Sequence, residues 1–249
     1  SRGYIPSTEP YTALADSFVH VAGGGGETIA DPVSVFGVTG PDAIVDWVFV
    51  ELRAASKPDS VVATRAGLVQ RDGDVVDTDG ASPLLFGQSL AGSYYVAVRH
   101  RNHLGTMTGQ AISLTSEGTL VDFTDVNLNL WTEHALFAGV EQRTFTAQSV
   151  TRKALWAGNA NMEDKVVFAG QDNDVDAIFN AIDGAPGNAF FHLQNYVLSG
   201  YHASDVDMNG DAIYSGQDND VDHIFNNVDG HPKNILKQRV FVIREQLAK

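Results

Sequence analysis

Residues 205–211 read Asp-Val-Asp-Met-Asn-Gly-Asp, so oxygen-bearing side chains recur at every second position before a glycine. Asp205, Asp207 and Asn209 stand at positions 1, 3 and 5 of a loop, and Gly210 stands at position 6. Alternate oxygens on a tightly turning backbone converge on one point, and glycine at position 6 permits the sharp turn, as in EF-hand-type calcium loops. Asp211, at position 7, is placed to offer its backbone carbonyl. Hard oxygen donors without His or Cys favour Ca2+ over zinc or copper. Gly216 occupies position 12, where an acid usually closes the site. The closing carboxylate must therefore come from a longer loop, either Asp220 or, with a different loop path, Asp218.

A second copy lies upstream. Residues 159–188 and 205–234 align at a constant offset of 46 (Gln171 to Gln217, Gly184 to Gly230), and GQDNDVD is identical in both. In the first copy Asn159, Asn161 and Glu163 take positions 1, 3 and 5, Lys165 takes position 7, and Asp174 would close the site. Asp164 replaces the turn glycine, which is costly if the turn needs a positive φ, although Asp tolerates it better than most residues. The competing reading is a pair of Asn/Asp-rich turns that cap helices without metal. Two copies in the same phase weigh against it, because uncompensated carboxylates this dense repel one another.

The loops need elements to hold them. A helix is expected from about Asp220 to Val228, with Asn219 or Asp218 as N-cap and Gly230 at its end. Val221, Ile224, Phe225 and Val228 form its apolar stripe. Upstream, Tyr11 to about Phe123 reads as β, because short apolar runs alternate with Gly, Pro, Asp and Ser clusters. Ala43–Arg53 is apolar on both faces and is expected to be a central strand. Val61–Gln70, Ser93–Arg101, Ala111–Leu114 and Leu120–Phe123 are further expected strands. Gly23–Gly26 reads as a flexible connection. The fold class expected is mainly β: an N-terminal β-sandwich over 1–125, a connecting segment over 126–157, a small α module of two calcium loop-helix repeats over 158–236, and a C-terminal strand in the tail 237–249.

These residues resemble a known group. The paired loop-helix units are similar to a divergent dockerin-like tandem repeat of the form D-x-N-x-D-G-x-x-x-Y-x-G-x-x-N-D-x-D. The second copy matches it through Asp205, Asp207, Asn209, Gly210, Tyr214, Gly216, Asn219, Asp220 and Asp222. The first departs at Asp164 and has Phe168 for the Tyr. The segments YIPSTEPYTAL, AIVDWVFVELRA, ATRAGLVQRDGDVVDTDG and YYVAVRHRNHLG are similar to a module of secreted surface proteins of Bacteroidota. The resemblance covers most of residues 4–234. It implies export and a calcium-stabilised extracellular module, and no defined enzymatic activity. That family usually begins with a strand upstream of Gly3–Thr12, which this chain, starting at Ser1, is expected to lack. Conversely, Arg239–Gln246 is an extra apolar segment that reads as a strand. An open sheet edge and a spare strand suggest head-to-tail assembly of copies by strand addition. The alternative is a tail folded back on its own sandwich.

Composition narrows the partners. The 249 residues carry a formal charge of −15, which disfavours nucleic acid and anionic membrane surfaces as partners. No cysteine is present, so disulfides and thiolate metal sites are excluded. No apolar run is long enough for a membrane-spanning helix, and membrane insertion is not expected. No nucleophile elbow, zincin or P-loop pattern occurs, and the chain is not expected to be an enzyme. Arg71–Gly80 could hold another cation, but hairpin turns explain its Asp-Gly pairs better. His100 and His103, beside Arg99, Arg101 and Asn102, read as a solvated strand end. The function expected is an extracellular calcium-binding structural protein, a subunit of a surface filament or layer. The alternative is a carbohydrate- or protein-binding module, for which Tyr94, Trp131 and Tyr196 would have to form a flat platform.

Overall fold

The computed structural model describes residues 4–87 and 92–249. Ser1 and Gly3, from which the expected lack of an upstream strand is argued, lie outside these residues. The chain is mainly β, with antiparallel sheets throughout. Its largest sheet holds β1 (Ile44–Ala54), β2 (Lys57–Gln70), β3 (Val75–Val76), β4 (Gly92–His100), β5 (His103–Met107) and β6 (Ile112–Leu114). The order is β3-β2-β1-β4-β5, with β6 also pairing β4. β1 is central because its side chains are apolar on both faces and both faces are covered.

Alternation along β1 divides the core. Trp47 and Phe49 point to one face and pack with Ile5, Tyr11, Phe18, Ile29 and Val35 from the N-terminal segment. Val48, Val50 and Leu52 point to the other and pack with Val96 and Val98, with Leu84, Phe86, Val121 and Phe123 against them. Burying each large apolar side chain contributes on the order of 2 kcal/mol. The expected pair of stacked sheets is thus replaced by one sheet with irregular chain on both faces. Leu120–Phe123 forms no strand; Val121 and Phe123 still pack on the core, so apolarity and not pairing explains their spacing.

The four-glycine segment is packed instead of loose. A Cβ on Gly24 would stand 2.2 Å from the carbonyl oxygen of Thr64. The Gly25 and Gly26 amides donate to Glu27 Oε2 and Glu9 Oε1 at 3.0 and 2.9 Å.

The C-terminal part carries a ribbon, β7 (Arg143–Ala147) with β8 (Val150–Ala154), and then the repeats. Each repeat gives a short strand at loop position 7, a helix, and another strand. The first gives β9 (Lys165–Val167), α2 (Asp174–Asp183) and β10 (Val197–Ser199). The second gives β11 (Asp211–Ile213), α3 (Asp220–Gly230) and β12 (Val242–Arg244). Helix α1 is the short Pro32–Gly37. Pairing crosses between repeats: β10 pairs β11, and β12 pairs β9. The tail strand is therefore the counterpart of β10, completing the repeat. It pairs with the first repeat, and the chain then reaches the edge of the large sheet, where Gln246 makes a parallel bridge with Thr106 of β5 and Leu247 and Ala248 pack on Met107 and Ala97. Both helices begin at an Asn whose side chain accepts the amide three residues on, Asn173 from Asp176 and Asn219 from Asp222. Ile178, Ile182, Ile224 and Val228 are buried with Val166, Val206 and Ile243. This core also draws on Leu104, Phe137 and Trp156, so the repeats share it with earlier parts of the chain.

Candidate metal centre

Asp205, Asp207 and Asp220 each place an oxygen within 4.8 Å of the other two. The loop builds this arrangement from its own amides. Asp205 Oδ1 accepts the Asn209 amide at 3.0 Å, and its Oδ2 accepts the Gly210 amide at 3.1 Å. Asp207 Oδ1 accepts the Asn209 amide at 3.0 Å, and its Oδ2 accepts the Asn209 side-chain amide at 2.8 Å. Asn209 Oδ1 accepts the Asp211 amide at 2.8 Å. Asp220, the first residue of α3, accepts from Val206 and Ile213 at 2.6 and 2.7 Å and from Asp207 at 3.3 Å. Three amides leave this carboxylate about one free lone-pair direction of roughly four. Asp220 therefore stitches both ends of the loop to the helix while still facing Asp205 and Asp207. Asp218 instead lines an open depression with Asp207, Asn209 and Asp211. The Asp211 side chain accepts from Ser199 Oγ at 2.6 Å, across the β10–β11 pair.

Burial works against the charge of these carboxylates. Asp205 and Asp220 are both 0 % exposed. Burial pushes the Asp205 carboxyl up to about 6 and the Asp220 carboxyl up to about 7, and the Asp207 charge adds to both. Arg101, which donates to the Asp205 backbone carbonyl, offsets part of the rise at the Asp205 carboxyl. The three carboxylates, with Asp207 only partly buried and His223 Nε2 3.6 Å from its Oδ2, offer the hard oxygen donors that fit a divalent cation.

The first loop has the same backbone and different chemistry. Met162 and Met208, at position 4, have φ of 60° and 58°, and Asp172 and Asp218 both have 53°. Left-handed residues common to both loops thus stand at positions 4, 12 and 14, position 12 being Gly170 at 119° and Gly216 at 124°. Gly210 is left-handed as well, at 99°, but Asp164 is not, so the expected strain at Asp164 is absent. Asp164 instead pairs with Lys249 and accepts the Glu245 amide on its carbonyl at 2.8 Å. Asp174 stitches this loop as Asp220 does the other, accepting from Val167 at 2.7 Å and Asn161 at 3.3 Å. Burial pushes the Asp174 carboxyl up to about 7. Asn159 and Asn161 turn their amide nitrogens to the carbonyls of Glu163 and Asp172 at 2.6 and 3.2 Å. Lys165 Nζ lies 3.1 Å from Glu163 and 3.7 Å from Asp172.

Both loops are clamped by the β4–β5 turn. Asn102 accepts the Asn159 and Gly158 amides on its carbonyl at 3.0 Å, and its side chain donates to the Asp205 carbonyl at 2.6 Å. Arg101 donates to the His202 and Asp205 carbonyls and to Asp46 Oδ2. Asp46 also meets His100 at 3.2 Å and accepts from Tyr201 at 2.6 Å. Asp46 is buried, yet His100, Arg101 and Tyr201 hold its carboxyl well below the usual range. Tyr4 donates to the Met208 carbonyl at 2.8 Å and lies over Gly210. His100, Arg101 and Asn102 are buried, so the expected solvated strand end is an internal junction. The run Arg-His-Arg-Asn-His was the signal for it: so many cations and amides at one strand end need partners when buried.

Arg71–Gly80 folds as turns: Asp79 accepts from Ser82, and Asp77 pairs with Arg65. Tyr94, Trp131 and Tyr196 are half-buried and packed into three different clusters. Comparison with known proteins finds no matching family model and no significant match to a curated protein or a solved structure.

Proposed function

We propose that this chain is an extracellular calcium-binding structural protein, in which Ca2+ at the second loop fastens a dockerin-like repeat module to the large sheet. The observation that carries this reading is the Asp205–Asp207–Asp220 triad, two of whose members are fully buried. The fit is chemical: all-oxygen donors, position 7 carbonyl at Asp211, and buried carboxylates that a divalent cation would neutralise. A loop without a bidentate Glu belongs to the weaker sites, which fill where calcium is about millimolar, as outside cells. Calorimetric titration with Ca2+ and Mg2+, beside thermal melts in calcium and in EDTA, tests the reading. Absence of calcium binding, or equal melting temperatures, sinks it.

Assembly of copies is the partner reading. Strand β12 already pairs with β9 of its own chain, so head-to-tail addition proceeds by exchange of that strand between copies. The exposed connector before it, with Ile235, Leu236 and Val240 largely in solvent, supports such an exchange. Electron microscopy of the intact chain and of a chain ending at residue 236 tests it; identical particles in both refute it. Carbohydrate binding has less support, because Tyr94, Trp131 and Tyr196 share no surface cluster.

A further inference from the structure

We infer that Lys165 supplies inside the first loop the positive charge that the second loop takes from a metal, so that the chain binds one calcium ion and not two. The inference rests on the proposed reading of the second loop as a calcium site, and its test separates the two. Positions 1, 3, 5 and 7 are Asp205, Asp207, Asn209 and Asp211 in the second loop, three carboxylates and a formal charge of −3. In the first they are Asn159, Asn161, Glu163 and Lys165, one carboxylate and one ammonium, a formal charge of 0.

The geometry matches the charge. The second loop leaves an open depression between Asn209 and Asp218. Their counterparts in the first loop are Glu163 and Asp172, and Lys165 Nζ lies between these two at 3.1 and 3.7 Å. The Asn161 amide donates to the Asp172 carbonyl, and the Asn159 amide donates to the Glu163 carbonyl. Two N–H donors thus close the loop across itself where the second copy has carboxylates. The Lys165 ammonium adds a third tie, and a second divalent cation would meet it as a like charge. One acceptor remains: Asn159 Oδ1 is buried without a protein partner.

The test is the number of calcium ions bound by the full chain, read by titration and equilibrium dialysis. The expected counts are one for the wild type, none for Asp207→Asn, and one again for Asp207→Asn combined with Asn159→Asp, Asn161→Asp and Lys165→Ala. Two ions on the wild type overturn the inference, as does a triple substitution that adds no ion to a folded Asp207→Asn chain. If the wild type binds none and the triple variant alone binds one, the calcium reading of the second loop fails and the role of Lys165 stands. A readout without metal guards against misfolding of the multiple variant. In EDTA, Lys165→Met is expected to melt a few degrees below the wild type, and Lys165→Arg to melt with it. Equal midpoints for all three overturn the inference.

Discussion

The side-chain amide of Asn102 donates to the backbone carbonyl of Asp205 at 2.6 Å, while the Asn102 carbonyl accepts the Asn159 amide at 3.0 Å. One residue in a β-turn therefore grips position 1 of both loops. Its 0 % exposure means that neither bond has water as a substitute. Asn102→Leu leaves the Asp205 carbonyl with only the longer 3.3 Å bond from Arg101 and should cost about 1 kcal/mol in urea unfolding. Calcium affinity should fall as well, because Asp205 loses its anchor. Unfolding that is unchanged in EDTA would show that the turn does not organise the loop.

Calcium removal gives a second prediction. At a free calcium concentration about 100 times Kd, bound metal adds about 3 kcal/mol to unfolding. Asp207→Asn keeps the shape of the loop and removes a ligand charge, so it should abolish most of the gain between EDTA and calcium. Its own melt in EDTA should match or exceed that of the wild type, since one repelling carboxylate near Asp205 and Asp220 is gone.

His231 predicts a pH dependence. It is 2 % exposed, packs among Phe137, Trp156 and Phe241, and accepts the Lys233 amide on Nδ1. Burial holds its imidazole down at about 4, with Lys233 adding to the effect. The unfolded chain, near 6.5, takes up the proton first as pH falls. Stability from His231 is therefore present above about 6.5 and is lost progressively down to about 4, by at most about 3 kcal/mol. His231→Phe should flatten this part of the profile measured by chemical denaturation in EDTA. An unaltered slope between pH 6.5 and 4 would rule out His231 as its source.

Gly210 is doubly constrained. Its φ of 99° suits glycine alone, and a Cβ there would stand 2.6 Å from the Tyr4 ring. Gly210→Ala should cost more than about 1 kcal/mol. Adding Tyr4→Ala should recover only the steric part, because the backbone strain persists. Full recovery in the double variant would assign the whole cost to Tyr4.

The parts of this architecture that local chemistry specifies could be read from the sequence. Asn173 and Asn219 cap their helices within three residues, and the alternating apolar side chains of β1 mark a central strand without reference to any partner. The converging oxygens of Asp205 and Asp207 follow from a period of two in a turning loop. Features that depend on distant partners were hidden. Leu120–Phe123 has the composition of a strand and finds apolar neighbours but no ladder. Arg101 and Asn102 stand in a run whose cations and amides need partners when buried, but nothing local says that those partners lie more than 100 positions later. Val242–Arg244 lies inside the strand expected over Arg239–Gln246, whereas its counterpart Val197–Ser199 escaped, because the two copies lose phase there and stand 45 rather than 46 apart.

The crossed pairing of β9 with β12 has a consequence for the order of events in folding. Val167 meets Val242, so closing the first repeat requires a segment 75 residues downstream. Closure of so long a loop is entropically late, and contacts of this span slow folding. During synthesis the first loop must wait for residues 242–244, whereas β1 and β2 can pair as soon as Gln70 has emerged. A repeat built this way stays incomplete, and easy to thread or to digest, until β12 arrives.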